Sequence, residues 1–193
     1  MRIETVVELS EAEQRFADTV GLARTTRARQ RGAADRVRPA TEELRARYDQ
    51  TGAGAEIAVR RLLGLPYVGA MVQYEYGRAD LRLHTKLLDV KSTEYPGGML
   101  QRHRASSSNA DAYLLVVRQD RRYLMVGWAT ATELMREENY GNGRWANTYT
   151  LSQDKLHCFT TLRTWARATE STSRCHMGKC APGSAEAGRA RVG

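Results

Sequence analysis

Long hydrophobic runs are missing from this chain of 193 residues: no window holds the ~18 consecutive apolar residues that a transmembrane helix needs. Cysteine is scarce. Cys158, Cys175 and Cys180 are the only three, an odd count late in the chain, which argues against a disulfide framework. The first residues, Met1-Arg2-Ile3-Glu4-Thr5, lack the apolar segment of a secretory signal, so a cytoplasmic location is the expectation. Gly52-Ala53-Gly54 precedes a helix but lacks the Lys-Ser/Thr sequel of a phosphate-binding P-loop. No serine sits in an elbow motif, so a Ser-His-Asp hydrolase is not indicated.

Positive charge is in excess. Lys and Arg number 30 against 22 Asp and Glu, giving a net charge of +8 and a pI near 9.7. Such a balance attracts polyanions, nucleic acid first among them. The hydrophobic fraction of 41% and charged fraction of 27% fit a globular domain. The length suits one domain, expected over residues 1–170 and comprising a helical basic extension (1–50) and a core (about 50–140), with a disordered basic tail over 171–193.

A helix is expected over residues 8–30, capped by Ser10 with Glu13 three residues on. Its apolar face would use Val7, Phe16, Val20 and Leu22. Arg24, Arg27, Arg29, Arg31, Arg36 and Arg38 then form either a solvated face or a phosphate-contacting surface. The Gly52-Ala53-Gly54 triplet divides the next stretch into two expected helices, Thr41–Tyr48 and Ala53–Leu63. Beyond Pro66 the pattern turns extended: Tyr67–Tyr76, Ala79–Leu83, Lys86–Thr93, Ala112–Arg118 and Tyr123–Thr130, with a tight turn at Asp120-Arg121. Ala131–Glu138 reads as helix, Thr148–Leu151 as a short edge strand and Leu156–Ala168 as a last helix. The order predicts one mixed sheet with helices packed on its faces.

Chemistry concentrates on the strand Lys86–Thr93. Side chains alternate with period two, so Leu87, Asp89 and Lys91 share one face, and Leu88, Val90 and Ser92 the other. Burying a carboxylate and an ammonium is costly unless they are paired or bound to a metal. If the runs before and after His84-Thr85 pair as a hairpin, Asp80 comes opposite Asp89. Two facing carboxylates repel unless a cation lies between them, and Mg²⁺ accepts one or two protein carboxylates while keeping sites for water and phosphate. Glu56 lies three residues before Val59 and seven before Leu63 on the preceding helix, in line with residues that should face the sheet. It is either a boundary residue reaching water or a further group of the same site.

Asp80, followed after eight residues by Asp89-Val90-Lys91, resembles the motif of the PD-(D/E)XK nuclease superfamily, the fold class of many restriction endonucleases and phage exonucleases. The helix bearing Glu56 resembles the first helix of that core. Asn109–Val117 resembles the strand after the core helix, and Val126-Gly127-Trp128-Ala129 leading into Glu133-Leu134 resembles the next step in small phage-borne members. The likeness covers roughly residues 50–140. Ala79 stands where the motif has proline, and the Gly-rich, basic stretch between Lys91 and Asn109 replaces a regular helix.

The resemblance implies an α/β, restriction-endonuclease-like core and a Mg²⁺-dependent deoxyribonuclease, with Mn²⁺ as a substitute ion. Asp80, Asp89 and the Val90 carbonyl would hold the metal, and Glu56 a second metal or the water shell. Lys91 would position the attacking water. Gln101, Arg102 and Arg104, on a loop at the mouth of the site, would contact DNA. It also implies a bacterial or phage-infected cell as setting and a homodimer or larger assembly.

Two alternatives stay open. One is a catalytically inactive nucleic-acid-binding protein on the same fold. The other is a zinc protein using His157-Cys158 with Cys175, His176 and Cys180, although that spacing is looser than the usual CxxC pair. Trp128, Trp145 and Trp165 are read as packing residues rather than base-stacking platforms.

Overall fold

The computed structural model describes residues 5–30, 41–67, 78–141 and 146–175, with side chains as far as residue 168. Strand β1 (Thr5–Glu8) leads into helix α1 (Glu11–Gln30), and α2 (Glu42–Leu62) returns along it. Then come β2 (Leu81–Leu83), β3 (Lys86–Thr93), β4 (Leu100–His103), β5 (Ala112–Gln119) and β6 (Arg122–Thr130). A short helix α3 (Ala131–Leu134), strand β7 (Thr148–Leu151) and helix α4 (Leu162–Cys175) follow.

The main sheet has five strands in the order β1-β6-β5-β3-β2, and β4 and β7 form a separate two-stranded ribbon. Strands β3 and β5 run parallel, and every other neighbouring pair in the main sheet is antiparallel. The expected mixed sheet with flanking helices is therefore present. No helix among the described residues is long and apolar enough to cross a membrane.

Period-two alternation sends β5 into two cores. Leu114 and Val116 pack with Ala53, Ile57, Val59, Leu88 and Val90 beneath the helices. Tyr113, Leu115 and Val117 pack on the other face with Leu100, Tyr149, Leu151 and Leu134. The hairpin joining β5 to β6 turns at Asp120, which takes a left-handed φ of 56°.

Several expectations change. Residues 5–8 form an edge strand rather than the approach to a helix, and Val7 belongs to it. The Ser10 cap is as expected: Ser10 N–H donates to Glu13 at 2.8 Å and Glu13 N–H to Ser10 Oγ at 3.2 Å. The two helices expected on either side of Gly52-Ala53-Gly54 are one continuous helix. Gly54 serves close approach, because a Cβ there would stand 1.9 Å from the buried Tyr123 hydroxyl. The basic stretch at 100–103 is no loop: Leu100 is fully buried, and β4 pairs with β7 from Leu100↔Leu151 to His103↔Thr148, with Arg104 in the turn that follows. Ala131–Glu138 is one helical turn followed by a 3-10 turn at Glu137–Asn139. The last helix begins at Leu162 and runs into the expected tail as far as Cys175. The expected strand Tyr67–Tyr76 lies, beyond Tyr67, outside the described residues, as do Arg31, Arg36, Arg38, Trp145, His176 and Cys180.

Helices α1 and α2 run antiparallel, with Arg29 paired to Glu42 at one end and Arg61 to Glu13, 3.0 Å apart, at the other. They touch at Gly21, where a Cβ would lie 2.5 Å from both the Cα and the N of Gln50. Backbone cannot yield there as a flexible side chain would, so the clash outweighs the helix propensity gained on replacing glycine by alanine. Gly21→Ala should therefore destabilise the protein by about 1–3 kcal/mol. A urea midpoint equal to or above that of the wild type would contradict this packing.

Candidate active site

The site grows from the β2–β3 hairpin. His84 adopts a left-handed φ of 54°, and the two-residue turn sets Leu83 opposite Lys86 and Leu81 opposite Leu88. The pairing stops there, and Asp80, the next residue outward, lies close enough to Asp89 to feel its charge. The contact is made through the backbone: Val90 N–H donates to Asp80 Oδ2 at 2.6 Å.

On β3, Leu88 and Val90 point into the core beneath the helices, so Asp89 and Lys91 take the opposite face. Lys91 Nζ lies 2.5 Å from Asp89 Oδ1, with the Asp89 side chain 6% exposed. The ammonium also sits 5.9 Å from the centre of the Tyr113 ring, whose hydroxyl accepts a 2.6 Å hydrogen bond from Arg102 Nε. Thus Arg102 stands beside the site, held by Tyr113 and by the Ser106 carbonyl at 3.1 Å. Arg104 is exposed and stacks 5.0 Å from the centre of the Tyr140 ring. Gln101 pairs with Thr150 in the ribbon.

Glu56 reaches the same region from α2. It is 5% exposed, and both its oxygens are engaged by Arg24 of α1, at 2.5 and 2.8 Å. Of the arginine-dense stretch, Arg24 is therefore a core side chain, neither a solvated nor a phosphate-facing one. Arg60, one turn beyond Glu56, bonds the carbonyl of Pro66 at 3.1 Å and the carbonyl of Asp80. It thereby fixes both ends of the segment that delivers Asp80.

Electrostatics ties these groups together. Burial first, then the charges of Glu56 and Asp89, push the Asp80 carboxyl well above the usual carboxylate range, against partial relief from Lys91 and the Val90 N–H. Burial pulls the Lys91 ammonium down, but Asp89 and Asp80 outweigh it, and its pKa ends above the ordinary lysine value. Lys91 is thus a fixed cation and a poor base.

Compared with protein-family models, curated proteins and solved structures, the chain gave no match.

Among the described residues, no three acid, histidine or cysteine side chains stand together as a metal-binding group. The candidate set narrows to a pair. Asp80 commits Oδ2 to Val90 and Asp89 commits Oδ1 to Lys91, which leaves one oxygen of each outside these contacts. His157, considered for zinc, bonds Glu133 at 2.8 Å, and Cys158 Sγ lies 2.7 Å from Thr160 Oγ1. Trp128 is buried against Trp165, ring centres 4.9 Å apart, as a packing residue should be.

The sequence motif did not mark Arg60 or Tyr113, and the pattern offered Arg24 only as part of a solvated or phosphate-facing run. Arg60 carried a signal, since residues four apart share a helix face, and Glu56-x3-Arg60 has that spacing. Tyr113 lay hidden in an apolar run.

A carboxyl whose pKa is raised on folding contributes stability when protonated and loses it as pH rises from the ordinary value near 3.8 through the folded one. Asp80→Asn keeps an oxygen for the Val90 N–H and removes the ionisation. At neutral pH the variant should show the higher denaturation midpoint, and the two proteins should converge as pH falls towards the ordinary carboxylate value. A variant less stable than wild type at neutral pH would contradict the buried-acid account.

Proposed function

We propose that the chain is a divalent-metal-dependent nuclease that hydrolyses phosphodiester bonds in DNA, built on a restriction-endonuclease-like core of the PD-(D/E)XK type. The observation that carries this reading is the Asp80/Asp89 pair across the β2–β3 hairpin, with Lys91 salt-bridged to Asp89 on the same strand face. The donor set fits Mg²⁺, or Mn²⁺ in its place: hard carboxylate oxygens, few in number, with mutual repulsion for a cation to relieve.

Asp80 and Asp89 would hold the ion through their remaining oxygens, with the Val90 carbonyl as a further ligand. A bound ion of this kind lowers the pKa of a water and offsets the charge building on the scissile phosphate. Lys91, kept as an ammonium by its acidic neighbours, orients the attacking water or stabilises that developing charge. Arg102, which shares the Tyr113 ring with Lys91, and the exposed Arg104 are suited to flanking phosphates, with Gln101 near them on β4. The net charge of +8 favours approach of a polyanion.

Incubation with linear, circular and single-stranded DNA tests the proposal. Cleavage should need Mg²⁺ or Mn²⁺ and stop with EDTA. Asp89→Ala should abolish it, and Lys91→Ala should slow it by ~10²–10³, the usual effect of removing one charge-stabilising donor, with DNA binding retained. DNA that is bound but never cut under either metal would leave a binding protein instead of an enzyme.

A further inference from the structure

The third acid of the cluster behaves differently from the other two. Asp80 and Asp89 each give one oxygen to a neighbour, whereas Glu56 gives both to the Arg24 guanidinium in a two-bond fork at 2.5 and 2.8 Å. The pair is deep, with side chains 11% and 6% exposed. Bidentate arginine–carboxylate pairs are among the strongest hydrogen-bonded contacts in proteins, and removing one partner of a buried pair leaves an uncompensated charge.

We infer that Arg24 closes Glu56 to metal, so that the site takes a single divalent ion, at Asp80 and Asp89, rather than two. The inference rests on the nuclease reading and deepens it. For Glu56 to serve as a ligand, Arg24 would have to release it. The fork would be lost while the like charge of Arg60 stays near, and Asp49 is a further acid that the Arg24 charge reaches. With Glu56 held by Arg24, Asp80 and Asp89 are the acids left beside Lys91 for a cation. Arg24 fills the second cation's place with a fixed side chain from α1, and the basic N-terminal helix becomes part of the site.

Titration of the full chain with Mn²⁺, following the free ion by electron paramagnetic resonance without DNA, reads this directly. Wild type should bind one Mn²⁺ per chain. The charge-neutral double variant Arg24→Gln/Glu56→Gln should keep that stoichiometry with an affinity within about threefold of wild type, well short of the ~10–100-fold that losing even a supporting group costs. Arg24→Gln alone, which unmasks Glu56, should bind Mn²⁺ at least about tenfold more tightly. If that variant fails to fold, the neutral double variant still decides the matter. Two ions per wild-type chain, or a tenfold loss in the double variant, would overturn the inference. Two ions together with DNA cleavage would leave the nuclease reading standing alone, whereas no Mn²⁺ bound and no cleavage would remove both.

Discussion

Buried like charge is the constraint on which this structure turns. Glu56 and Asp89 both lie within electrostatic reach of Asp80, in surroundings that penalise ionised groups. Each acid is answered by a cation or a backbone donor from a neighbouring element: Glu56 by Arg24 of α1, Asp89 by Lys91 two residues along β3, Asp80 by the Val90 N–H, with Arg60 on its carbonyl. Such an arrangement is poor economy for stability alone, because apolar residues of similar size would fill the space at less cost. Strain of this kind gathers at sites of chemistry.

The rest of the fold serves this junction. The five-stranded sheet holds β3 between β2 and β5, so Asp89 and Lys91 stand on a strand fixed on both edges. The tight α1–α2 contact at Gly21 joins a helix that would otherwise be a basic appendage to the one that carries Glu56. Tyr113 contributes from the second core: the Lys91 ammonium and the Arg102 guanidinium each lie 5.9 Å from its ring centre. Groups from both faces of one sheet thus meet around Asp89 and Lys91, midway along β3.

Much of the site was legible because the signals were local. A two-residue turn at His84-Thr85 fixes the register as far as Leu81↔Leu88, and Asp80, the next residue, meets β3 at the Val90 N–H. Period two then puts Asp89 and Lys91 on one face, and helical spacing turns Glu56 inward. What stayed hidden depended on distant partners. Gly54 looks like a helix breaker until Tyr123, far along the chain, is seen lying over it. The stretch around Arg102 has loop composition and becomes a strand only because Thr148–Leu151 pairs with it. Arg24 is one of six arginines in a run, and nothing local distinguishes the one that meets a carboxylate 32 residues away.

The central claim is that Asp80 and Asp89 are held together as the seat of a divalent cation. Anomalous diffraction from crystals grown with Mn²⁺ tests it most directly. The account predicts a strong anomalous peak bonded to both carboxylates beside the Lys91 ammonium. Density that is empty there, with Asp80 and Asp89 unchanged and saturating Mn²⁺ in the crystal, would contradict it.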